Sequence, residues 1–362
     1  MPHSRHIVRL AATLLLAVNL FPPAAARRTQ DSLVSDTTVG IDFFKHGQYD
    51  TAVRVLRDAV KKNSADADAW YYLGLALSRQ NKIDDAREAF ERAVKLRPES
   101  PPERAALAYA LLLVGKHRDA EREARQVLTL DARSAEAHHI VGVVRLREGR
   151  LADALASADE ALKVSPSFRA AALLRSEALL GVYAAAYPVV LRKHPLAPES
   201  GKEERDRVVA ARDAELEPLK VRLREAAEGL EKIVAAQPGD EDAKLWREML
   251  ENARCYSGAP LTADQLRPVT TQEASTKAVL FERPEPGYTE EAQNACVNGV
   301  VRLRMVLTAD GRVTCILPTK TLGYGLTEKA VRAARRIKFT PAQKDGRAVS
   351  QWLTVEYAFH CG

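Results

Sequence analysis

Cys255, Cys296, Cys315 and Cys361 are the residues of this chain best suited to covalent chemistry, and all four fall late in its 362 residues. In an oxidising compartment four cysteines form disulfides, and three complete pairings are open to them. Cys296 stands just before an alternating stretch at 300–307 and Cys361 at the end of another at 351–359. If those stretches are antiparallel neighbours with these ends adjacent, Cys296–Cys361 is the favoured pair. Cys315 shares a face with Val313 and Leu317 in strict alternation, so it reads as a buried free thiol. Zinc is disfavoured by the irregular spacings, and His360 beside Cys361 does not make a ligand set. His138 and His139 are helical neighbours pointing about 100° apart, which prevents them from chelating one metal. There is no glycine-rich phosphate loop, no Gly-x-Ser-x-Gly elbow and no His-Glu-x-x-His. The chain reads as non-enzymatic, with no catalytic residue, cofactor or metal site.

The elements that carry three of these cysteines are legible over 278–359. Residues 300–307 alternate, with Val301, Leu303, Met305 and Leu307 on one side, as a half-buried strand does. A turn at Asp310 and Gly311 returns the chain through Val313, Cys315 and Leu317. A helix follows with Leu326, Ala330, Ala334 and Ile337 on one face, and Phe339, Thr340 and Pro341 stop it. After a turn at Asp345 and Gly346, Gln351, Leu353, Val355, Tyr357 and Phe359 alternate again.

This ordered set resembles the C-terminal domain of the TonB family. The residues that carry the resemblance are Pro284, Pro286 and Tyr288, then Gly299, Val300 and Val301, Asp310 with Gly311, Leu326, Phe339 to Pro341, and Tyr357 with Phe359. Thr289 follows Tyr288 where the family usually has proline. The resemblance covers under a quarter of the chain. It implies a small α+β domain over 277–362, β-β-α-β with a three-stranded antiparallel sheet, that binds an extended peptide of an outer-membrane receptor along its last strand. In a sheet ordered 2-1-3 that strand is an edge with unpaired backbone groups open to strand addition. The partner-binding positions are then Ser350, Gln351, Trp352, Thr354, Glu356 and Ala358. Two other readings compete: Trp352 covers the outer sheet face beside Arg302 and Arg304, or the last strand forms a homodimer.

The middle of the chain has an internal period. Gly40, Gly74, Ala108 and Gly142 are 34 residues apart, as are Ala52, Ala86, Ala120 and Ala154. Small residues at fixed offsets let stacked helix pairs approach closely. The pattern resembles the tetratricopeptide repeat (TPR), most cleanly at 67–100, where Trp70, Leu73, Gly74, Leu77, Ala86, Phe90, Ala93 and Pro98 fit it. The resemblance implies an all-α solenoid over 33–256 whose first helices line a concave groove. Its lining is then Tyr71, Leu75, Arg79, Tyr109, His139, Val143 and Arg147. The positions that clamp a terminal carboxylate in some such grooves hold Ile41, Leu75, Tyr109 and Val143 here, so an apolar peptide or helix suits the groove better. Alternatively, Tyr71, Tyr109 and Leu75 fill it.

A fifth repeat begins near 169 and is interrupted by a helical insertion at about 182–223 that carries Pro188, Pro195 and Pro198 and then a charged stretch. A last helix over 240–255 turns Trp246 and Leu250 inward, and 257–276 reads as a polar linker.

The N-terminus points to a compartment. His3, Arg5 and Arg9 precede an apolar run at 10–21, and Ala24 to Ala26 follow, as in a secretory signal peptide cleaved after residue 26. As a helix that run spans ~18 Å against a hydrocarbon core of ~30 Å. The expected location is the periplasm, with an inner-membrane anchor as the alternative. The net charge of +6 arises from 54 basic and 48 acidic residues scattered along the chain, which gives no nucleic-acid footprint. The function expected is an exported adaptor of the cell envelope that binds protein or peptide partners through groove and edge strand. The alternative is a membrane-anchored TonB-type energy transducer for outer-membrane transport.

Overall fold

The structure of the chain, a computed structural model, describes residues 35–197, 199–236, 243–258, 268–271 and 273–361. The expected signal segment at 1–26 lies outside them. By its internal contacts the chain divides between Leu174 and Arg175 into two units.

The first unit is built from α1 (Asp36–Lys45), α2 (Tyr49–Lys62), α3 (Ala67–Arg79), α4 (Ile83–Leu96), α5 (Pro101–Leu113), α6 (His117–Leu130), α7 (Ala135–Arg147) and α8 (Leu151–Val164). Connections of three residues within each pair alternate with connections of four between pairs. Both lengths have a local cause. Gly47, Asn81, Gly115 and Gly149 occupy the short connections at φ between 61° and 80°, a region where a β-carbon is strained. In the longer connections Asp66 and Ser134 cap the next helix by accepting from the backbone N–H of Ala69 and Ala137.

The 34-residue period is a packing period. A β-carbon on Gly40 would lie 2.5 Å from Leu56, on Gly74 2.5 Å from Phe90, and on Gly142 2.6 Å from Leu174. Ala52, Ala86, Ala120 and Ala154 on the second helices are fully buried. Each helix pair therefore closes on a small residue from both sides, and one core runs from Ala52 to Val144, with a separate cluster around Ala161 and Phe168.

The second unit holds most of α9 (Arg169–Lys193), then α10 (Lys202–Ala236) and α11 (Ala243–Ser257). The expected insertion at 182–223 is not a separate piece. Its first part continues α9 without a break, and its charged stretch is the first half of α10. Pro188 and Pro218 lie inside these helices. Each removes one backbone donor, a cost of about 3 kcal/mol. The burial of Leu179, Tyr183 and Val190 in α9, and of Leu216, Leu223 and Leu230 in α10, offsets it. Among the described residues α9 is the one helix long and apolar enough to cross a membrane. The tip between α9 and α10 is tied by Lys193 and His194 to Glu215 at 2.9 and 2.8 Å. Those hydrogen bonds hold the Glu215 carboxyl below the usual carboxylate range.

The rest of the unit contains β1 (Val279–Glu282), α12 (Glu290–Asn294), β2 (Gly299–Leu307), β3 (Val313–Lys320), α13 (Leu326–Ala334), β4 (Lys338–Thr340), β5 (Ala342–Lys344), β6 (Arg347–Val349) and β7 (Gln351–Phe359). The main sheet is antiparallel in the order β3-β2-β7, with Leu303 opposite Val355. Two short pairs, β1-β4 and β5-β6, accompany it. Val301, Leu303, Met305, Val355, Tyr357 and Phe359 meet Leu326, Ala330 and Ala334 in the core, as the alternation implies.

The β2–β3 register shifts at two places, between Arg302 and Leu303 and between Arg304 and Val306, and the second decides a disulfide. In β3 two residues, Cys315 and Ile316, stand opposite Met305, between the pairs Arg304–Leu317 and Val306–Thr314. Cys315 has φ 54°. This β-bulge exchanges the faces that follow it. Ile316 enters the core in place of Leu317, and Cys315 bonds to Cys255 of α11 with Cα atoms 5.9 Å apart. The free-thiol reading of Cys315 is thereby corrected. Cys296 and Cys361 are joined as the second disulfide.

Candidate functional site

The concave positions of the repeat unit divide into filled and accessible ones. Leu75 is 3% exposed and His139 7%, so neither offers its side chain to a partner, which corrects their place in the expected lining. His139 packs against Phe168 with ring centroids 5.3 Å apart, and burial lowers its pKa to about 4, so the imidazole is neutral. Tyr71, Tyr109 and Val143 are half-buried. Burial raises the phenols of Tyr71 and Tyr109 far above their usual range. The two arginines share one arrangement across two repeats. Arg79 Nη1 donates to Tyr49 Oη at 3.1 Å, and Arg147 Nη1 donates to His117 Nε2 at 3.3 Å. Each partner opens the second helix of the preceding repeat. Burial, then the Arg147 charge, lowers the His117 pKa.

β7 lies at the edge of the main sheet. Trp352 and Glu356 direct backbone groups away from β2, the Trp352 N–H to the Val269 carbonyl and the Glu356 carbonyl to Arg283, and by two-residue alternation Thr354 and Ala358 face the same way. Thr354, Glu356 and Ala358 are exposed. Trp352 is not a free side chain. Its ring lies 5.7 Å from that of Tyr256, and the Arg304 guanidinium sits 4.2 Å from it and 4.3 Å from the Tyr187 ring. Gln351 is 1% exposed, and its Oε1 accepts from the Ala278 N–H at 2.8 Å. Both are corrections: these side chains stabilise the domain, and what the edge offers beyond Trp352 is backbone.

The outer sheet face beside Trp352 is closed by α9 and α11. Tyr256 Oη donates to the Cys315 carbonyl at 2.6 Å, and Tyr183 packs 5.4 Å from Tyr256. Burial pushes the Tyr183 phenol up to about 12 and raises that of Tyr256 well above its usual range. Arg335 also pairs with Glu248 of α11 at 2.8 Å. Sequence reasoning missed this aromatic seal. Its signals were Tyr183 and Tyr187 one helical turn apart, and Tyr256 beside a cysteine.

The expected linker is only partly a linker. Residue 257 closes α11, Val269 pairs in parallel with Gln351, and Thr276 pairs with Gln343. Val269 N–H donates to the Ser350 carbonyl at 2.8 Å, and Trp352 N–H donates to the Val269 carbonyl at 3.0 Å. The Arg283 guanidinium donates to the Glu356 carbonyl. Among the described residues no group of three or more His, Cys, Asp or Glu side chains could hold a metal ion.

Residues 39–101, 105–167 and 142–187 match the family described as tetratricopeptide repeat. Residues 284–361 match the one described as Gram-negative bacterial TonB protein C-terminal. The chain is 24% identical over 151 residues to the cytochrome c-type biogenesis protein CycH of Bradyrhizobium diazoefficiens, covering 41% of each chain. It is 25% identical over 122 residues to the peroxisomal targeting signal receptor of Candida glabrata, covering 34% of this chain and 19% of that one. The chain thus spans less than half the length of these curated relatives. Among solved structures, MamA is similar at 19% identity and a TM-score of 0.40, with 54% of this chain and 97% of that one covered. The second TPR domain of human RPAP3, solved with an HSP70 peptide, is similar at 21% identity and a TM-score of 0.30, with 31% and 93% covered. This chain therefore carries tetratricopeptide repeats, an architecture for binding proteins and peptides, followed by a TonB-type C-terminal domain of the kind found in Gram-negative envelopes.

Proposed function

We propose that this chain is an exported, non-enzymatic adaptor of a Gram-negative envelope, which takes an extended peptide by strand addition to β7 and a second protein partner in the repeat groove. The observation that carries this reading is the edge itself. Thr354 and Ala358 of β7 are exposed and offer outward backbone groups on either side of the Glu356 carbonyl that Arg283 holds, within a segment that matches the TonB C-terminal family. Sealing of the outer face by Tyr256 and Trp352 favours the edge over that face as the peptide site. The groove contributes half-buried Tyr71, Tyr109 and Val143, which suit an apolar peptide or helix. Export rests on the basic and apolar pattern of residues 1–26.

The test is the N-terminal mass of the protein recovered from fractionated envelopes of its host. A soluble periplasmic species beginning at Arg27 is the expected result. An intact N-terminus in the inner-membrane fraction replaces the adaptor with an anchored energy transducer.

A further inference from the structure

We propose that the chain's own residues 268–270 guard the edge of β7, and that an incoming strand gains full register only by displacing them. This rests on the strand-addition reading above. The guard holds the first rung: Ser350 C=O and Trp352 N–H, the two groups at the start of the edge, are both bonded to Val269. Arg283 caps the far side at the Glu356 carbonyl, with its guanidinium 4.6 Å from the Tyr357 ring. Between these two contacts, the outward backbone groups of Thr354 meet no protein partner among the described residues. That opening is shorter than the strand of about five residues typical of sheets, so a partner must take a rung that the chain now holds.

Among the described residues the pairing is a single isolated bridge, Val269 with Gln351. Beyond Val269 the chain turns away, with Thr270 N–H donating to Glu273 Oε2 at 2.6 Å and Glu273 N–H donating to the Thr270 carbonyl at 3.1 Å. A single tethered rung has a high effective concentration and outcompetes weak free peptides. It cannot match a segment that pairs along the whole edge. The arrangement protects an exposed edge while leaving it open to a long partner strand.

The experiment uses the full chain, a fluorescein-labelled Lys-Thr-Val-Thr-Val-Thr-Val-Thr-Lys peptide as a generic strand, and amide hydrogen exchange. Val269→Pro removes the donor to Ser350. It is expected to deprotect the Trp352 amide and to tighten peptide binding about tenfold or more. Thr354→Pro in that background removes only an outward N–H and is expected to abolish binding. If Trp352 stays protected in Val269→Pro, the guard is refuted. If wild type and Val269→Pro bind the peptide equally and Thr354→Pro abolishes both, the edge accepts strands unguarded, and the guard alone is refuted. If no variant binds although Trp352 is deprotected, the guard and the strand-addition reading fall together.

Discussion

Phe90 lies where a β-carbon on Gly74 would have to go, at 2.5 Å, and this contact shows what the small positions of each repeat accomplish. Gly74→Ala is expected to destabilise the repeat unit by about 1–3 kcal/mol through overpacking, read as a lower urea midpoint. Phe90→Leu in that background should recover part of the loss, because it vacates the space. His139 gives the same unit a pH response. Burial lowers its pKa to about 4 from the 6.5 of a free imidazole. Between those values the unfolded chain binds the extra proton and the folded chain does not, so stability rises with pH across the window. It is fully present above pH 6.5 and falls as pH drops toward 4, by roughly 3 kcal/mol. His139→Leu is expected to flatten that slope, measured as the urea midpoint at pH 7 and at pH 5.

Among elements, β3 and α11 are the informative pair. The bulge at Cys315 moves one thiol from the core side of the sheet to the side of α11, where Cys255 meets it. Cys255→Ser with Cys315→Ser is expected to lower the stability of the second unit by about 2–4 kcal/mol, measured by denaturant unfolding with the Cys296–Cys361 pair intact. Tyr256, donating to the same residue's carbonyl, should hold the helix in place without the covalent link. The loss then appears as stability and leaves the fold unchanged by circular dichroism.

For the whole molecule, the division at Leu174 and Arg175 places both disulfides in one unit and none of the cysteines in the other. Calorimetry is expected to resolve two transitions, of which a reducing agent lowers only one. A single transition that moves as a whole would show the two units to be one cooperative body. Apart from the buried groove positions Leu75 and His139, the sequence reading and the structure part in the second unit. Pro188 reads as an interruption, yet α9 runs through it, and the charged stretch read as a helix of an insertion is continuous with the rest of α10, because buried apolar faces outweigh one missing backbone bond in each. A polar stretch read as a linker supplies Val269 to the edge of β7, and no local pattern marks one valine as a strand.

What the sequence determined by itself is periodic. The 34-residue spacing of small residues specifies the helix pairs, since close approach admits no other side chain there, and two-residue alternation specifies β2, β7 and the core between them and α13. Tertiary structure alone decided what lies between periods. The bulge that turns Cys315, the aromatic seal over Trp352 and the rung held by Val269 each depend on residues distant in sequence meeting in space. A local repeat carries no information about such meetings, because their energy comes from packing and hydrogen bonds that exist only once both partners are in place.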